Sequence, residues 1–282
     1  MSAKNQTQHL PIMNNPDQVT PGRHKVRLWH TALEGVRAMA EATVSACSWP
    51  VLSTAPKGDG HPVLLVPGFM APESTMVPLK AFLSNRGYAV ESWGFGRNVG
   101  FQAKHAAALE HKLEYMRHQH GRKVSMVGWS LGGVFGLYAS HRAPDCVRSL
   151  ITLGSPVTPN AAGTGAAPSV VAMYRAVAHR LGPDAHLMQP HVRKALSHSP
   201  AHPMSCLWSR SDGVVPPMEA QVDDDSPVHE NILVPGSHCG LAFNALVLWI
   251  IAERLSQPED NWQPFAPTGM PGATYRALSA TF

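Results

Sequence analysis

The hexapeptide GWSLGG at residues 128–133 places Ser130 between glycines two positions away on either side. The apolar run KVSMVG leads into it and a helical pattern follows, so the serine lies where a strand turns sharply into a helix. A hydroxyl in such a nucleophile elbow stands clear of the sheet, near the free N–H groups of the helix. The pattern indicates a reactive serine; a tight glycine turn with an unreactive serine is the alternative.

A serine hydroxyl needs a base to remove its proton and an acid to orient that base. Asp212, in SRSDGVV, follows a predicted strand that ends near Ser209, and His238, in GSHCGL, follows the last predicted strand. We expect Ser130, Asp212 and His238 to form a catalytic triad. A simple Asp-Gly turn is the alternative for Asp212, and Glu219 is then the second candidate for the acid.

Short apolar runs alternate with helical patterns from residue 62 onwards. The predicted strands cover residues 62–67, 88–93, 123–128, 147–153, 204–209 and 230–234. The predicted helices cover residues 74–86, 103–119, 131–142 and 240–256. Nearly continuous apolar strands that alternate with helices indicate a mostly parallel central sheet covered by helices on both faces.

Six segments of the chain together resemble the α/β-hydrolase superfamily, and within it the bacterial lipase- and esterase-like members. They are LVPGFM, ESWGFGRNVG, VSMVGWSLGG, LITLGSPV, SRSDGVV and GSHCGLAFN, and the resemblance covers residues 60–256. It implies the α/β-hydrolase fold and the chain order serine, acid, histidine, each at the carboxyl end of a strand. Ser130, Asp212 and His238 match that order.

Attack of a serine on an ester places negative charge on the carbonyl oxygen, which two backbone N–H groups stabilise in an oxyanion hole. The resemblance assigns one N–H to Leu131 and the other to Phe69 in VPGFM, with Met70 as the second candidate. Pro67 stands where the family commonly has a histidine. The stretch GFGRNVG at 94–100 lacks the spacing of a nucleotide-binding loop and is interpreted as a structural loop near the pocket.

A long interval between two predicted strands, residues 157–203, interrupts the alternation of strands and helices. A structureless connection of that length is unusual, so we expect a small helical cap above the pocket. The expected substrate contacts come from this cap and from the surroundings of the serine; they are Met70, Trp129, Met173, Tyr174 and Val177. Ordinary packing of the cap is the alternative for its apolar residues.

The first 55 residues lie outside the strand–helix alternation. Residues 1–22 are polar, and from residue 26 the segment VRLWHTALEGVRAMAEATVSA repeats apolar side chains at every third or fourth position. We predict a leader and an amphipathic helix packed on the main domain over residues 1–55, and an α/β-hydrolase domain over residues 56–282. A lid or a membrane-surface helix is the alternative for this segment.

The composition argues against several other functions. A net charge of +4 over 282 residues, with no long run of lysine or arginine, gives no nucleic-acid-binding stripe. The four cysteines lack C-x-x-C spacing, and HSPAH at 198–202 contains a helix-breaking proline, so no metal or organic cofactor is expected. With no apolar signal segment and no run long enough to span a bilayer, we expect a cytoplasmic protein without stable membrane insertion.

These observations predict a serine hydrolase that cleaves a small-molecule carboxylic ester of short to medium acyl chain through an acyl-enzyme on Ser130. Acyl transfer to another acceptor and cleavage of amides or thioesters by the same triad remain as enzymatic alternatives. A hydrolase-fold module that binds a ligand without catalysis is the alternative from another class. The oligomeric state is not predicted from the sequence.

Overall fold

The computed structural model describes residues 26–158, 166–181 and 196–280. Within them, six strands form a sheet in the order β2-β1-β3-β4-β5-β6, and every neighbouring pair is parallel. The strands are β1 (Pro62–Val66), β2 (Ala89–Ser92), β3 (Val124–Trp129), β4 (Val147–Leu153), β5 (Met204–Trp208) and β6 (His229–Leu233). The predicted parallel sheet is therefore confirmed.

Helices follow most of these strands. In the described residues they are α1 (Leu28–Cys47), α2 (Trp49–Leu52), α3 (Val77–Asn85), α4 (Ala103–His120), α5 (Leu131–Arg142), α6 (Pro168–Leu181), α7 (Ala245–Leu255) and α8 (Gly269–Ala280). Short 3₁₀ turns cover Glu73–Met76 and Pro144–Cys146. Gly121, with a φ of 62°, provides the left-handed residue that ends α4.

Alternating side chains of each strand pack against helices on opposite faces of the sheet. Leu64 of β1 joins a buried cluster with Leu113 of α4 and Phe135 of α5. Its neighbour Leu65 joins a second cluster, together with side chains of α2, α3 and α7 such as Ile250. Successive strand residues point to opposite faces, so apolar strands like these require cover on both sides. The prediction of helices on both faces is confirmed.

Helix α7 begins later than the sequence predicted. The apolar run continues back to Leu241, but the helix starts at Ala245 because Asn244 caps it. The Asn244 side-chain oxygen accepts hydrogen bonds from the N–H groups of Leu246 (3.0 Å) and Val247 (3.4 Å). An asparagine at this position satisfies N–H groups that have no partner within the helix.

Helix α1 is present where it was predicted, but its buried side is largely polar. His30 and Glu34 are each only 6% exposed, whereas Trp29 and Val36 are 55% and 68% exposed. Apolar spacing therefore identified the helix but not the side that faces the domain. The polar side is buried because it hydrogen-bonds to two loops at the edge of the sheet.

Part of the sequence prediction lies outside the described residues. Residues 1–22 and much of the predicted cap, residues 159–165 and 182–195, belong to the segments not described. Helix α6 lies within the predicted cap and in the described chain. No helix among the described residues combines the length and the apolar character needed to cross a membrane.

Candidate active site

Ser130 occupies a sharp turn between β3 and α5. Its backbone has a φ of 55° and a ψ of −123°, a combination that residues with a side chain rarely adopt. The glycines around it allow the close approach of strand and helix. A Cβ at Gly132 would overlap the carbonyl oxygen of Val66, and a Cβ at Gly128 would overlap the backbone of Gly133. The spacing of the motif is thus explained by steric contact between backbones.

Asp212 and His238 form a buried pair at the same edge of the sheet. The loop after β5 carries Asp212 and the loop after β6 carries His238, and their side chains are 1% and 4% exposed. His238 Nδ1 lies 2.7 Å from Asp212 Oδ2. The other carboxylate oxygen, Oδ1, accepts hydrogen bonds from the N–H groups of Val214 (2.8 Å) and Val215 (2.7 Å). These contacts fix the orientation of the carboxylate towards the imidazole.

Burial and charge act in opposite directions on the His238 imidazole. Burial by itself lowers the pKa of His238, whereas the charge and hydrogen bond of Asp212, together with the charge of Glu34, raise it. The net result is a pKa above the usual 6.5. When Nδ1–H donates to Asp212, the Nε2 lone pair remains available to accept a proton.

The turn that carries Ser130 contacts the loop that carries His238. The N–H of Ser130 donates to the carbonyl of Leu153 (2.8 Å), and the indole N–H of its neighbour Trp129 donates to the carbonyl of His238 (3.0 Å). Among the described residues, no hydrogen bond joins Ser130 Oγ to the His238 ring. Catalytic hydrogen bonds of this kind are often formed only when substrate is bound.

The loop after β1 runs directly against Ser130. A Cβ at Gly68 would lie 3.1 Å from the Ser130 Cβ. The N–H groups of Phe69 and Leu131 donate to no acceptor in the described part of the chain. The N–H of Met70 donates to the carbonyl of Asn98 (2.6 Å), so it is not free to bind an oxyanion. Of the two candidates in this loop, Phe69 therefore has the available N–H.

The residues predicted to contact the substrate differ in their exposure and in their contacts with the site. Tyr174 of α6 packs on Phe69, with ring centroids 5.1 Å apart, which brings the cap onto the loop after β1. Val177 is half-buried, and Met173 is 41% exposed. Trp129 contacts the loop that carries His238, with its ring 6.0 Å from the imidazole. Tyr174 is thus the α6 residue with a contact to the site.

Metal-binding side chains are not clustered in this region. Within residues 26–158, 166–181 and 196–280, no group of three or more His, Cys, Asp or Glu side chains is arranged to hold a metal ion. The two histidines of HSPAH have separate contacts: His198 Nδ1 lies 2.9 Å from Ser197 Oγ, and His202 Nδ1 lies 3.2 Å from the carbonyl of Pro203.

A family model described as the alpha/beta hydrolase family matches residues 63–277. The chain belongs to the alpha/beta hydrolase family. This match covers the sheet, the elbow and both loops that carry Asp212 and His238. It leaves out helix α1, which precedes the matched region.

One curated relative of this alpha/beta hydrolase is pimeloyl-[acyl-carrier protein] methyl ester esterase of Shewanella woodyi. The two sequences are 30% identical over 99 residues, which are 35% of this chain and 37% of that esterase. The chain therefore matches little more than a third of the relative's length.

Two solved lipases are similar to this hydrolase in fold. Bacillus licheniformis lipase BlEst2 has a TM-score of 0.52 and 19% identity, over 72% of this chain and 95% of that one. Aspergillus fumigatus lipase B has a TM-score of 0.51 and 18% identity, over 72% of this chain and 55% of that one. At these identities the likeness establishes the fold alone.

Two buried residues near the site of this alpha/beta hydrolase were not selected from the sequence. Asn98 is fully buried, and its side-chain amide donates to the carbonyl of Pro67 (2.7 Å), so it holds the loop that contains Phe69. The asparagine in GFGRNVG was the available signal. Glu34 of α1 binds the loops after β5 and β6, and its position within an apolar repeat gave no signal of this role.

Proposed function

We propose that this protein is a serine hydrolase that cleaves carboxylic esters of short to medium acyl chain through an acyl-enzyme on Ser130. The observation that carries the proposal is the buried His238–Asp212 pair, joined at 2.7 Å, together with a serine in a strained turn that contacts the loop of His238. A methyl ester esterase among the similar proteins supports ester chemistry.

In the first step, His238 Nε2 accepts the proton of the Ser130 hydroxyl while Oγ attacks the acyl carbonyl of the ester. The imidazole becomes cationic, and the Asp212 carboxylate at Nδ1 stabilises that charge and holds the ring in the required tautomer. The raised pKa of His238 is consistent with this role, because it reflects stabilisation of the protonated ring.

The carbonyl oxygen becomes an oxyanion in the same step. The N–H groups of Leu131 and Phe69 are the proposed donors, since neither has an acceptor in the described chain. When the tetrahedral intermediate collapses, the bond to the alkoxide breaks and His238 Nε2–H protonates the leaving alcohol. Water then repeats the sequence on the acyl-enzyme, which releases the carboxylic acid and restores Ser130.

Apolar side chains beside the oxyanion loop are the proposed contacts of the acyl chain. Phe69 and Tyr174 pack together at 5.1 Å, and Val177 follows Tyr174 by nearly one turn of α6. Burial of methylene groups against such side chains contributes about 0.8 kcal/mol each. Apolar contacts of this kind suit an acyl chain.

The proposal is tested by hydrolysis of p-nitrophenyl esters from acetate to palmitate. We expect the highest kcat/KM among the short and medium esters, and a loss on the order of 10⁶-fold in kcat for Ser130→Ala. Repeating the assay with an alcohol acceptor and analysing the products separates hydrolysis from acyl transfer. Absence of turnover across the whole series would overturn ester hydrolysis.

A further inference from the structure

Helix α1 inserts the side chain of Glu34 between the loops that carry Asp212 and His238. Glu34 is 6% exposed. Its Oε1 accepts hydrogen bonds from the N–H groups of Gly213 (2.7 Å) and His238 (3.1 Å), and its Oε2 accepts one from Cys239 (2.9 Å). A single carboxylate thus joins the residue after the candidate acid to the backbone of the candidate base.

The rest of the polar side of α1 binds the same two loops. The contacts are Thr31 Oγ1 to the carbonyl of Gly213 (2.6 Å), Arg37 Nη2 to Ser211 Oγ (2.7 Å), and the N–H of Ser237 to Glu41 Oε1 (2.6 Å). These bonds connect residues about 180 to 200 positions apart in the chain. They explain why α1 buries its polar side rather than its apolar one.

A buried carboxylate is costly unless hydrogen bonds or a cation compensate for the loss of water. In the described chain, the hydrogen-bond partners of Glu34 are three backbone N–H groups and the Cys239 thiol, and none of them is a cation. No hydrogen-bonded cation therefore neutralises the negative charge of Glu34, and this charge acts on the His238 imidazole. Buried hydrogen bonds to a charged group also restrain their partners strongly, since leaving any of them unmade is unfavourable.

We infer that Glu34 is a positioning residue of the active site, which fixes the loops of Asp212 and His238 relative to one another and places a second negative charge beside the imidazole. The inference rests on the proposed function, because the Asp212–His238 pair has to act as acid and base for the positioning to affect a rate. By this inference, helix α1 positions active-site loops although it lies outside the region that the family model matches.

Several titratable or charged groups surround the loops that carry the pair, and two of them, Asp212 and Glu34, act on the imidazole. The surrounding groups are Asp212 after β5, Cys239 after β6, and His30, Glu34, Arg37 and Glu41 of α1. Burial lowers the pKa of His238, and the charges of Asp212 and then Glu34 raise it. Burial and the same carboxylates raise the pKa of Cys239 to about 12, so its thiol stays neutral at ordinary pH.

The test uses Glu34→Gln, which keeps the shape of the side chain but removes its charge and one acceptor. In the Ser130→Ala background, an NMR titration of the His238 ring measures its pKa without requiring turnover. We expect that pKa to fall in E34Q, because the charge of Glu34 raises it. In the Ser130-containing enzyme, we expect the acidic limb of kcat/KM to shift the same way, kcat to fall roughly ten-fold or more, and KM to change little.

Glu230→Gln is the matched control. Glu230 is also a largely buried carboxylate with several hydrogen bonds, to Ser205, Arg254 and Phe265, but it lies on β6 away from the two loops. We expect E230Q to lower stability while the His238 pKa and the pH profile stay as in the wild type. A shift in E34Q that is absent in E230Q supports the inference.

A folded E34Q with the wild-type His238 pKa and wild-type kinetics would overturn the inference. If circular dichroism shows that E34Q does not fold, Glu34→Asp keeps the charge but shortens the reach. We then expect a lower kcat with unchanged KM, and a wild-type kcat in E34D would overturn the positioning role. Should the wild type cleave no ester, the NMR titration still tests the charge of Glu34, so failure of the proposed function is distinguished from failure of this inference.

Discussion

The proposed chemistry depends, at the scale of single residues, on the protonation state of one histidine. His238 is nearly fully buried, which disfavours its charged form, yet the charge and hydrogen bond of Asp212 and the charge of Glu34 together raise its pKa. A base in this setting accepts a proton readily from a serine hydroxyl. It also loses its function once it is protonated in the resting enzyme.

The pH dependence of kcat/KM follows from the raised pKa of His238. Below that pKa the imidazole is cationic and unable to take the Ser130 proton, so activity falls as the pH is lowered. We expect the acidic limb to have its midpoint above 6.5, the value of an unperturbed histidine. The measurement is kcat/KM for a p-nitrophenyl ester against pH.

Asp212→Asn provides the comparison for this profile. Loss of the carboxylate lowers the His238 pKa and permits the wrong tautomer, so kcat falls by about 10⁴-fold and any residual acidic limb moves to lower pH. A wild-type midpoint below 6.5, or an acidic limb that Asp212→Asn leaves in place, would contradict the assignment of this limb to His238.

The sequence predicted the residues that carry short local motifs and missed those defined by distant contacts. Ser130 was selected because its glycines and flanking apolar residues are adjacent in the chain. Glu34 was not, because its partners Gly213 and His238 lie 179 and 204 residues away. Phe69 was preferred to Met70 from the resemblance alone, and the hydrogen bond from the Met70 N–H to the Asn98 carbonyl adds a structural reason for that choice.

At the scale of elements, the four inner strands of the described sheet were predicted because buried parallel strands are nearly continuous apolar runs, whereas the predicted edge strands β2 and β6 are only partly buried. Helix α7 was placed too early since Leu241 and Phe243 extend the apolar run past the cap at Asn244. Helix α1 was recognised from its apolar repeat. That repeat did not indicate that the polar side of the helix is the one that packs against the two loops. The period of the apolar residues identifies a helix, but it does not show which part of the protein the helix packs against.

The junction of α5 with β1 sets how closely the elbow approaches the loop after β1. In Gly132→Ala, the new Cβ would overlap the carbonyl oxygen of Val66, and backbone on both sides leaves little room to adjust. We expect the free energy of unfolding to fall by about 1–3 kcal/mol. Guanidinium denaturation measures this change, and ester hydrolysis falls with it because the oxyanion loop is displaced.

Gly35→Ala is the control for that substitution. Gly35 lies within α1, and a Cβ there would meet no atom within 4 Å. Alanine favours the helix over glycine, so we expect a gain of about 0.5–1 kcal/mol in the free energy of unfolding. Equal effects of the two substitutions would contradict the steric explanation of the motif.

At the scale of the whole molecule, the carboxyl edge of one parallel sheet gathers the loops after β1, β3, β5 and β6. Helix α1 holds two of these loops from outside the region matched by the family model, and helix α6 meets the first of them at Phe69. The proposed site is therefore assembled from segments that span most of the chain. Its central requirement is that Ser130 becomes a nucleophile in this setting.

Labelling with a fluorophosphonate, followed by mass spectrometry of the digested protein, tests that requirement most directly. A phosphonate adduct forms when an activated serine displaces fluoride, whatever the natural substrate is. We expect one adduct on the peptide that contains Ser130, slower labelling in His238→Ala, and no labelling in Ser130→Ala. An unlabelled wild type, or an adduct that persists in Ser130→Ala, would contradict the proposal that Ser130 is the nucleophile.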